Sequence, residues 1–481
     1  MTIILLLSYH EQIHRKREKE LSFLEDKYSS KKSEFVVIYG RRRIGKTETI
    51  KEFCREKKAV LYTCTQTEDR RQLRFFSAAV SSVFRFSEYA SVFEDWKRAF
   101  FSVKDFPRNE NGKSILVVDE FPYMVMENAE IPSVIQKLWD GILKDENVMI
   151  ILCGSAMSFM EKGVLSEKNP LYGRATGIYR MGEMPFYDAV QFLEGYTPQE
   201  KMTAYGICGG VPYYLEQFDT EKSLEYNIVN VVLKKGAVLY SEPEFLLKQD
   251  LREPMMYNSI ISPIASGKTK FSEILDDTMT DKGKLSVYLR NLIELGLVER
   301  ELPLDCGRGN RTNFQRGIYR LCNAFFRFWY AFVCPNYSLL EFGDTETVYR
   351  RLIEPRLDEF ISFTFEDVCI EYMKRRNLEF TLPFIFKKCG RWWNRTTEID
   401  VICSDGKGNL ISGECKYRKR EADTADLKEH ISKDIRDISG GGNVSYWYFS
   451  FNGFTDNARQ FAASIGMTLV TSDDIFDPKS K

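Results

Sequence analysis

Residues 35–53, FVVIYGRRRIGKTETIKEF, combine a short apolar run, a turn with two glycines and a segment compatible with a helix. Within them, residues 40–47 match the pattern G-x-x-x-x-G-K-[ST]. In that pattern the glycines let backbone N–H groups converge on phosphate oxygens, Lys46 offsets phosphate charge, and the Thr47 hydroxyl can bind Mg²⁺. Roughly 2% of chains of this length would match by chance, so the flanking strand and helix favour a phosphate-binding loop. The residues expected to surround the phosphates are Gly40, Arg41, Arg42, Arg43, Ile44, Gly45, Lys46, Thr47 and Glu48.

Further apolar runs of strand length occur at residues 59–63, 114–120 and 148–154. Helical patterns separate them, at residues 72–86 and 131–143. Strands that are apolar throughout and alternate with helices are typical of a parallel sheet covered on both faces. The sequence therefore predicts an α/β fold of the P-loop NTPase type for the first part of the chain.

Polar residues stand at the ends of these runs. Asp119 is expected to hold the magnesium through water and Glu120 to polarise the attacking water, because phosphoryl transfer needs charge neutralisation and an oriented nucleophile. Ser155 either senses the γ-phosphate or caps the next helix. Arg174 is either an arginine finger, on its own γ-phosphate or on the nucleotide of a neighbouring subunit, or a surface arginine. The finger in a neighbouring site would require a homo-oligomer.

The motifs YGRRRIGKTE, VVDEFPYM, LCGSAMSFM, PLYGRATG and CGGVPYYL occur in this order. Together they resemble the prokaryotic AAA-type ATPases that are abundant in archaea and related to STAND signalling NTPases. The resemblance covers about residues 15–219 and implies that the nucleotide is ATP. Such proteins usually begin with a Gly-Arg-Glu motif that contacts adenine, whereas here Lys16 stands where the glycine belongs. The adenine contact at residues 16–18 is therefore left open.

The middle segment, assigned to residues 231–320, has the pattern of helices followed by two strands. KFSEIL and LSVYLRNLIELGLVERE predict two short helices, and CGRGNRTNFQRGIYRL predicts a two-stranded wing, so the segment resembles a winged helix. The wing carries Arg308, Arg311, Arg316 and Arg320, a cluster able to grip phosphates without selecting a sequence. The alternative is a lid packed on the ATPase, as in related NTPases where it moves with nucleotide state.

In the C-terminal part, the stretches TEIDVIC and GECKY place Asp400, Glu414 and Lys416 on two neighbouring predicted strands. In a metal-dependent phosphodiesterase two carboxylates bind Mg²⁺ while a lysine positions or deprotonates the attacking water. Residues i and i+2 of a strand share a face, so Glu414 and Lys416 can converge.

This arrangement, carried by GRWWNRTTEID and GECKYR, resembles the restriction-endonuclease-like PD-(D/E)XK fold over about residues 325–427. The resemblance implies a C-terminal α/β domain with a second Mg²⁺ or Mn²⁺, and it nominates Glu366 as an acid on the metal side. Glu398 is a weaker candidate. The alternative is a domain that keeps the fold but only binds.

The bulk composition restricts the partners. With 68 Lys and Arg against 69 Asp and Glu, the net charge is −1, so any surface that attracts nucleic acid must be local. Eleven cysteines without a C-x-x-C pair fit reduced thiols. The run IILLL near the start lacks a preceding basic residue and is too short for a membrane span. These features predict a cytoplasmic protein without a membrane partner.

Three domains are predicted: an AAA-type ATPase at residues 15–230, a helical and winged-helix domain at 231–320, and a nuclease-like domain at 321–481. ATP binding and hydrolysis would rearrange the domains and control a metal-dependent site acting on DNA or RNA. One alternative is a STAND-like signalling or scaffold ATPase whose C-terminal domain binds a partner and cuts nothing. Another is passive nucleotide binding without turnover.

Overall fold

The computed structural model describes residues 17–83, 92–251, 253–304, 316–435, 438 and 442–477. These residues fall into two compact units. The first lies within residues 1–184 and 211–213, and the second within residues 185–210 and 214–481. Lys16, Arg308 and Arg311 lie outside the described residues, as does the end of the helix predicted at 72–86.

The first unit is built on a parallel five-stranded sheet, as the apolar runs predict. Its strands in spatial order are β2, β3, β4, β1 and β5, and all paired neighbours are parallel. Their bounds are Glu34–Tyr39 (β1), Ala59–Thr63 (β2), Ser114–Asp119 (β3), Val148–Gly154 (β4) and Gly177–Arg180 (β5). The three central strands, β3, β4 and β1, are buried at every position, which explains their uninterrupted apolar sequence.

Helices cover both faces of this sheet. Along β1, Phe35 and Val37 belong to one apolar core, whereas Val36 and Ile38 belong to the core on the opposite face. This alternation follows from the two-residue period of a strand. The helices are Glu18–Ser29 (α1), Lys46–Cys54 (α2), Asp69–Val83 (α3), Trp96–Phe101 (α4), Phe121–Glu127 (α5), Ile131–Gly141 (α6) and Met157–Phe159 (α7).

The remaining strands form two sheets in the second unit. The larger is mixed, in the order β12, β11, β10, β9 and β8, with β10, β11 and β12 parallel and β9 antiparallel to both of its neighbours. The smaller is the antiparallel pair β6 and β7. The bounds are Val298–Glu301 (β6), Ile318–Leu321 (β7), Lys388–Trp393 (β8), Glu398–Ser404 (β9), Leu410–Lys416 (β10), Val444–Ser450 (β11) and Thr468–Thr471 (β12).

The other α-helices follow the chain from residue 186 onward. Their bounds are Phe186–Ala189 (α8), Pro198–Cys208 (α9), Pro212–Leu215 (α10), Leu224–Asn227 (α11), Glu242–Asp250 (α12), Pro254–Ala265 (α13), Phe271–Thr278 (α14), Lys282–Glu294 (α15), Ala324–Phe328 (α16), Tyr337–Glu341 (α17), Thr345–Val348 (α18), Glu354–Leu378 (α19), Thr424–Ser432 (α20), Asp456–Ile465 (α21) and Ser472–Phe476 (α22). The helices α14 and α15 and the strand β7 stand where helices and a strand are predicted. The first strand of the pair, β6, instead lies at the end of the stretch LSVYLRNLIELGLVERE, which predicts a helix, so that part of the prediction is wrong. The identity of these elements as a winged helix stays a prediction, as does the three-domain division.

Two helices of the second unit carry side chains of the candidate C-terminal site. Asp423 caps α20 by accepting hydrogen bonds from the N–H groups of Ala425 and Asp426, which satisfies donors that a helix start leaves unpaired. The long helix α19 packs on the strands β8, β9 and β10. These two helices place the side chains that meet β10 in the candidate C-terminal site.

Candidate functional site

The phosphate-binding loop joins β1 to α2 through two glycines with different tasks. Gly45 has a φ of 88°, in the left-handed region that glycine adopts without strain, and the next residue starts α2. A Cβ atom on Gly40 would lie 2.3 Å from the carbonyl oxygen of Met181. Gly40 is therefore required by close packing, and Gly45 by backbone conformation.

Lys46 lies inside the loop and holds it closed. Its Nζ donates to the carbonyl oxygens of Gly40 at 2.9 Å and Arg41 at 2.8 Å. Burial lowers the pKa of Lys46 and outweighs the opposite influence of neighbouring groups that include Glu120 and Asp119. The ammonium group is thus close to both predicted catalytic acids and is bonded to the loop backbone.

The acidic residues after β3 meet the loop and the end of β4. The Thr47 hydroxyl donates to Asp119 Oδ2 at 2.7 Å, and the backbone N–H of Glu120 donates to Asp119 Oδ1 at 2.9 Å. The Ser155 hydroxyl lies 2.9 and 2.8 Å from the two carboxylate oxygens of Glu120. The helix α7 starts after Ala156 without a side-chain cap, so Ser155 does not fill the capping role.

Sheet topology explains this convergence. The strands β3, β4 and β1 are adjacent and parallel, so their carboxyl ends share one edge, where ligands of open α/β sheets bind. Glu120 itself has a φ of 51°, a left-handed conformation that is unusual for a non-glycine residue. Backbone strain of this kind is concentrated at functional positions.

The other predicted loop residues contact neighbours within the same unit. The partners of the three arginines are Glu183 for Arg41 at 3.3 Å, the Tyr123 hydroxyl for Arg42 at 3.0 Å, and the Tyr213 ring for Arg43 at 4.0 Å. Ile44 is buried. Glu48 forms an ion pair with Lys51 at 2.7 Å.

Arg174 is held by local contacts. Its guanidinium donates to the carboxylate of Asp140 through three bonds of 2.8 to 3.0 Å. It also donates to the carbonyl oxygens of Pro170 at 2.8 Å and Tyr172 at 3.1 Å. These bonds match the structural alternative, and the arginine finger stays a prediction.

Arg17 is a residue that sequence reasoning did not single out for the loop. It is 3% exposed, and one guanidinium nitrogen donates to the carbonyl oxygens of Ile44 at 2.6 Å and Gly182 at 3.1 Å. A second nitrogen bonds Glu20 at 2.9 Å. Arg17 stands at the arginine position of the Gly-Arg-Glu motif described above, and in this structure it bonds the backbone of the phosphate-binding loop.

In the second unit, the predicted acids Asp400 and Glu414 come together on β9 and β10. Asp400 Oδ2 accepts the backbone N–H of Cys415 at 2.8 Å, which places it beside Glu414. Burial and the charges of Glu414 and Glu366 raise the pKa of Asp400 to about 8. Burial and the neighbouring carboxylates thus disfavour the ionised form of Asp400.

Glu414 is surrounded by two lysines and a histidine, of which Lys416 was predicted. Lys416 Nζ lies 2.5 Å from its Oε1, and Lys433 Nζ lies 2.5 Å from its Oε2. The ring nitrogen Nδ1 of the buried His430 lies 3.6 Å from Oε2. Burial opposes ionisation of Glu414, but His430 and the two lysines outweigh it and lower its pKa to about 2. Lys433 and His430 carried no sequence signal, because they reach β10 only through the packing of α20.

Glu366 is bonded to an arginine that sequence reasoning overlooked. Arg391 is 7% exposed, and its Nε donates to Glu366 at 2.8 Å. Arg391 also pairs with Asp367 at 2.8 Å and Glu301 at 3.3 Å. Burial raises the pKa of Glu366, although Arg391 acts against it. The nominated acid is therefore close enough to influence Asp400, yet it belongs to an ion-pair network.

The same network reaches the hairpin of β6 and β7. Arg320 on β7 pairs with Asp367 on α19 at 2.6 Å and with Glu301 on β6 at 3.1 Å. One of the predicted wing arginines thus stabilises the hairpin against α19. Arg316 is exposed.

The two sites differ in how well they suit a divalent cation. Thr47 and Asp119 offer a hydroxyl and a carboxylate in contact, a donor set that fits Mg²⁺ shared with nucleotide phosphates. At Glu414 both oxygens already accept bonds from lysines. No group of three or more His, Cys, Asp and Glu side chains within the described ranges is arranged to hold a metal ion. A metal at Asp400 and Glu414 would have to displace these lysines, so the second metal site stays a prediction.

Two protein families match separate parts of the chain. A family described as an ATPase domain predominantly from Archaea matches residues 15–218. A second, described as Archaea bacterial proteins of unknown function, matches residues 329–429. The fold and the loop thus define an archaeal-type ATPase domain, followed by a C-terminal domain of the second family.

A relative over nearly the whole chain shows the family. An uncharacterized protein of Methanocaldococcus jannaschii is 33% identical over 427 residues, which are 88% of this chain and 90% of that protein. The chain belongs to the family of that protein. A second protein of this organism, named an uncharacterized ATP-binding protein, is 50% identical over 42 residues, which are 9% of this chain and 71% of that protein.

Among solved structures, the Walker-type ATPase of Pyrococcus abyssi aligns with a TM-score of 0.52 at 19% identity, covering 66% of this chain and 95% of that chain. This likeness shows a shared fold. None of the helices in the described part of the chain combines the length and the hydrophobicity that a membrane crossing requires.

Proposed function

We propose that the chain is a Mg²⁺-dependent ATPase that binds ATP at residues 40–48. The observation that carries the proposal is the contact of the Thr47 hydroxyl with Asp119, since these two groups would hold the magnesium. When bound, Mg²⁺ neutralises charge on the β- and γ-phosphates. Burial of Lys46 beside Glu120 and Asp119 supports the same assignment.

The residues of this chain would act in sequence as ATP enters. Lys46 would exchange the loop carbonyls for phosphate oxygens, which need the same N–H donors. Ser155, now on the Glu120 carboxylate, would turn its hydroxyl to the γ-phosphate and leave Glu120 to orient a water molecule. A role of Arg174 in a neighbouring subunit's site would require it to leave Asp140.

We further propose that the nucleotide state controls a C-terminal domain that handles DNA or RNA, with a nuclease-like fold at residues 321–481 and a winged helix at 231–320. Support comes from the mixed sheet that places Asp400 beside Glu414 and Lys416. In this proposal Lys416 binds or positions phosphate, and cleavage would require a second Mg²⁺ or Mn²⁺.

A second candidate is a STAND-like signalling or scaffold ATPase with a C-terminal domain that binds and does not cut. The contacts of both Glu414 oxygens with lysines favour it, because a metal would have to displace those ammonium groups. The ion pair of Glu366 with Arg391 also favours the scaffold, because a metal at Glu366 would have to displace the guanidinium group.

Phosphate release from ATP tests the first proposal. The wild type should hydrolyse ATP with magnesium, Lys46→Ala should lose ATP affinity, and Glu120→Gln should bind ATP without turnover. Lys58→Ala and Glu130→Gln, which change exposed residues of the same unit, are the matched controls. Equal rates in the wild type and Glu120→Gln would leave only passive nucleotide binding.

Cleavage of plasmid DNA and RNA with Mg²⁺ or Mn²⁺, with and without ATP, separates the two C-terminal candidates. Activity lost in both Lys416→Ala and Asp400→Ala would establish a nuclease. Wild type and variants that are equally inert over varied substrates would favour the scaffold. Nuclease activity that is equal with and without ATP would contradict control by the ATPase domain.

A further inference from the structure

The end of α20 brings a second lysine to the candidate C-terminal site. Lys433 follows the last residue of α20, and its Nζ bonds Glu414 Oε2 at 2.5 Å and the carbonyl oxygen of Glu398 at 2.9 Å. Lys416 bonds the other oxygen of the same carboxylate, also at 2.5 Å. Each oxygen of one acid thus holds one ammonium group.

The exposure of the two lysines favours contact with an anion. Their two ammonium groups contact the carboxylate of Glu414, and the neighbouring acid, Asp400, accepts the backbone N–H of Cys415. The side chains of Lys416 and Lys433 are 27% and 21% exposed, whereas Glu414 is 6% exposed. The acid is therefore internal, and the two lysines connect it to solvent. An ammonium has three N–H donors, and the contacts of the described residues use two on Lys433 and one on Lys416.

His430 fixes this arrangement from the interior. Its side chain is fully buried, and its Nε2 lies 3.0 Å from the carbonyl oxygen of Ser412 on β10. The other ring nitrogen, Nδ1, lies 3.6 Å from Glu414 Oε2 and has no hydrogen-bond partner among the residues that the structure describes. The contact with Ser412 holds α20 against β10 and so sets the position of Lys433, three residues further on.

We propose that Lys433 and Lys416 form a two-lysine clamp for a phosphodiester of a nucleic-acid strand, with Glu414 as the internal acid that holds both ammonium groups in place. This inference rests on the proposed nucleic-acid function and names a residue and a ligand chemistry for it. A phosphate would accept the remaining N–H donors without displacing Glu414. Binding by the clamp therefore needs no metal ion.

A structural ion pair would predict a different result. Each lysine that neutralises a phosphate releases condensed counterions, so the logarithm of the binding constant falls against the logarithm of salt concentration by about 0.9 per contact on duplex DNA. A lysine that only stabilises the fold lowers affinity without changing that slope. The salt dependence thus separates the two roles.

The experiment uses the full chain in EDTA with a fluorescent duplex oligonucleotide, and anisotropy is measured at about 50 to 200 mM salt. We expect Lys433→Ala to reduce the slope by about 0.9. A slope difference of about 0.9, extrapolated from about 1 M to about 0.1 M salt, corresponds to binding that is about eightfold weaker. Lys433→Arg keeps the charge and should retain the wild-type slope. Lys428→Ala removes a lysine from the same helix that lies over Phe461 and should leave the slope unchanged.

The outcomes are decisive in each case. An unchanged slope in Lys433→Ala, with or without a lower melting temperature, overturns the clamp but leaves nucleic-acid binding in place. If Lys433→Ala does not fold, Lys433→Gln decides, because it removes the charge and keeps a polar side chain, and an unchanged slope in Lys433→Gln overturns the clamp. If the wild-type protein binds the oligonucleotide only when a divalent metal is present, the claim that the clamp binds without a metal is wrong. Wild type that binds no nucleic acid under any condition removes the proposed function together with the clamp.

Discussion

Removal of the Arg17 side chain should weaken ATP binding even though Arg17 lies behind the phosphate-binding loop. Its guanidinium donates to the carbonyl oxygen of Ile44 in the loop at 2.6 Å, whereas its bonds to Gly182 and Glu20 stabilise the surrounding fold. A hydrogen bond to a charged group contributes about 1.5 to 3 kcal/mol. Without the Ile44 bond, ATP would have to order the loop during binding, which makes that free energy a cost in affinity.

The expected effect of Arg17→Ala is a rise of about 10- to 150-fold in the Kd for ATP, because about 1.4 kcal/mol corresponds to a factor of ten. Isothermal titration with ATP and magnesium measures it, together with the melting temperature of each variant. Arg17→Lys keeps the charge but lacks the two-pronged guanidinium, so its Kd should fall between those of the wild type and Arg17→Ala.

Arg98→Ala is the matched control, because Arg98 belongs to the same unit but is 64% exposed and pairs with Glu94. Its ATP affinity should match that of the wild type. If Arg17→Ala folds and binds ATP within about twofold of the wild type, the loop does not depend on Arg17. The argument from the Ile44 carbonyl would then be wrong.

Three further variants test other parts of the chain. Gly40→Ala should abolish ATP binding in a titration, because its Cβ would lie 2.3 Å from the Met181 carbonyl oxygen; wild-type affinity would contradict this. Arg391→Met should lower the free energy of unfolding by about 3 kcal/mol in chemical denaturation, since it leaves acids unpaired, whereas the exposed Arg395→Met should change little. Burial raises the pKa of Glu371 above its ordinary value of 4.5, so the folded state keeps this proton to higher pH than the unfolded state. That stability is present below pH 4.5 and is lost as pH rises through the folded pKa. The melting temperature of Glu371→Gln should therefore depend less on pH over this range, and an equal dependence would refute the assignment.

The central strands of the first sheet, which are buried at every position, were predictable from their sequences. The apolar runs at β1, β3 and β4 identify the centre of the parallel sheet, and the loop motif identifies its ligand edge. The strands that sequence reasoning missed, β5, β8 and β12, all lie at sheet edges. An edge strand has one neighbour and buries fewer side chains, and the pattern of β5 alternates between intermediate and exposed positions. Its sequence therefore lacks the apolar run that marks a central strand.

The side chains of the candidate sites were likewise predictable only where the local sequence marks them. Asp119 and Glu120 were predictable because they end an apolar strand after a phosphate-binding loop. Arg17, Arg391 and Lys433 act on partners that lie far away in the chain, and nothing near them in sequence indicates those partners. Only the packing of helices on the sheets brings such charges together, so their roles required the structure.

The two sites restrain their acids with different strength, and this difference has a functional consequence. Glu120 accepts bonds from the hydroxyl and the backbone N–H of Ser155, both neutral donors, and the hydroxyl can rotate toward a phosphate at little cost. Glu414 is bonded to two ammonium groups in a partly buried setting, and charge-assisted bonds are roughly twice as strong as neutral ones. Freeing Glu120 for a water molecule is therefore easier than freeing Glu414 for a metal. The outer N–H groups of the lysines can donate to a phosphate without that cost. Under the proposed function, nucleic-acid binding should therefore occur in EDTA, and cleavage should require a rearrangement that moves the lysines off Glu414.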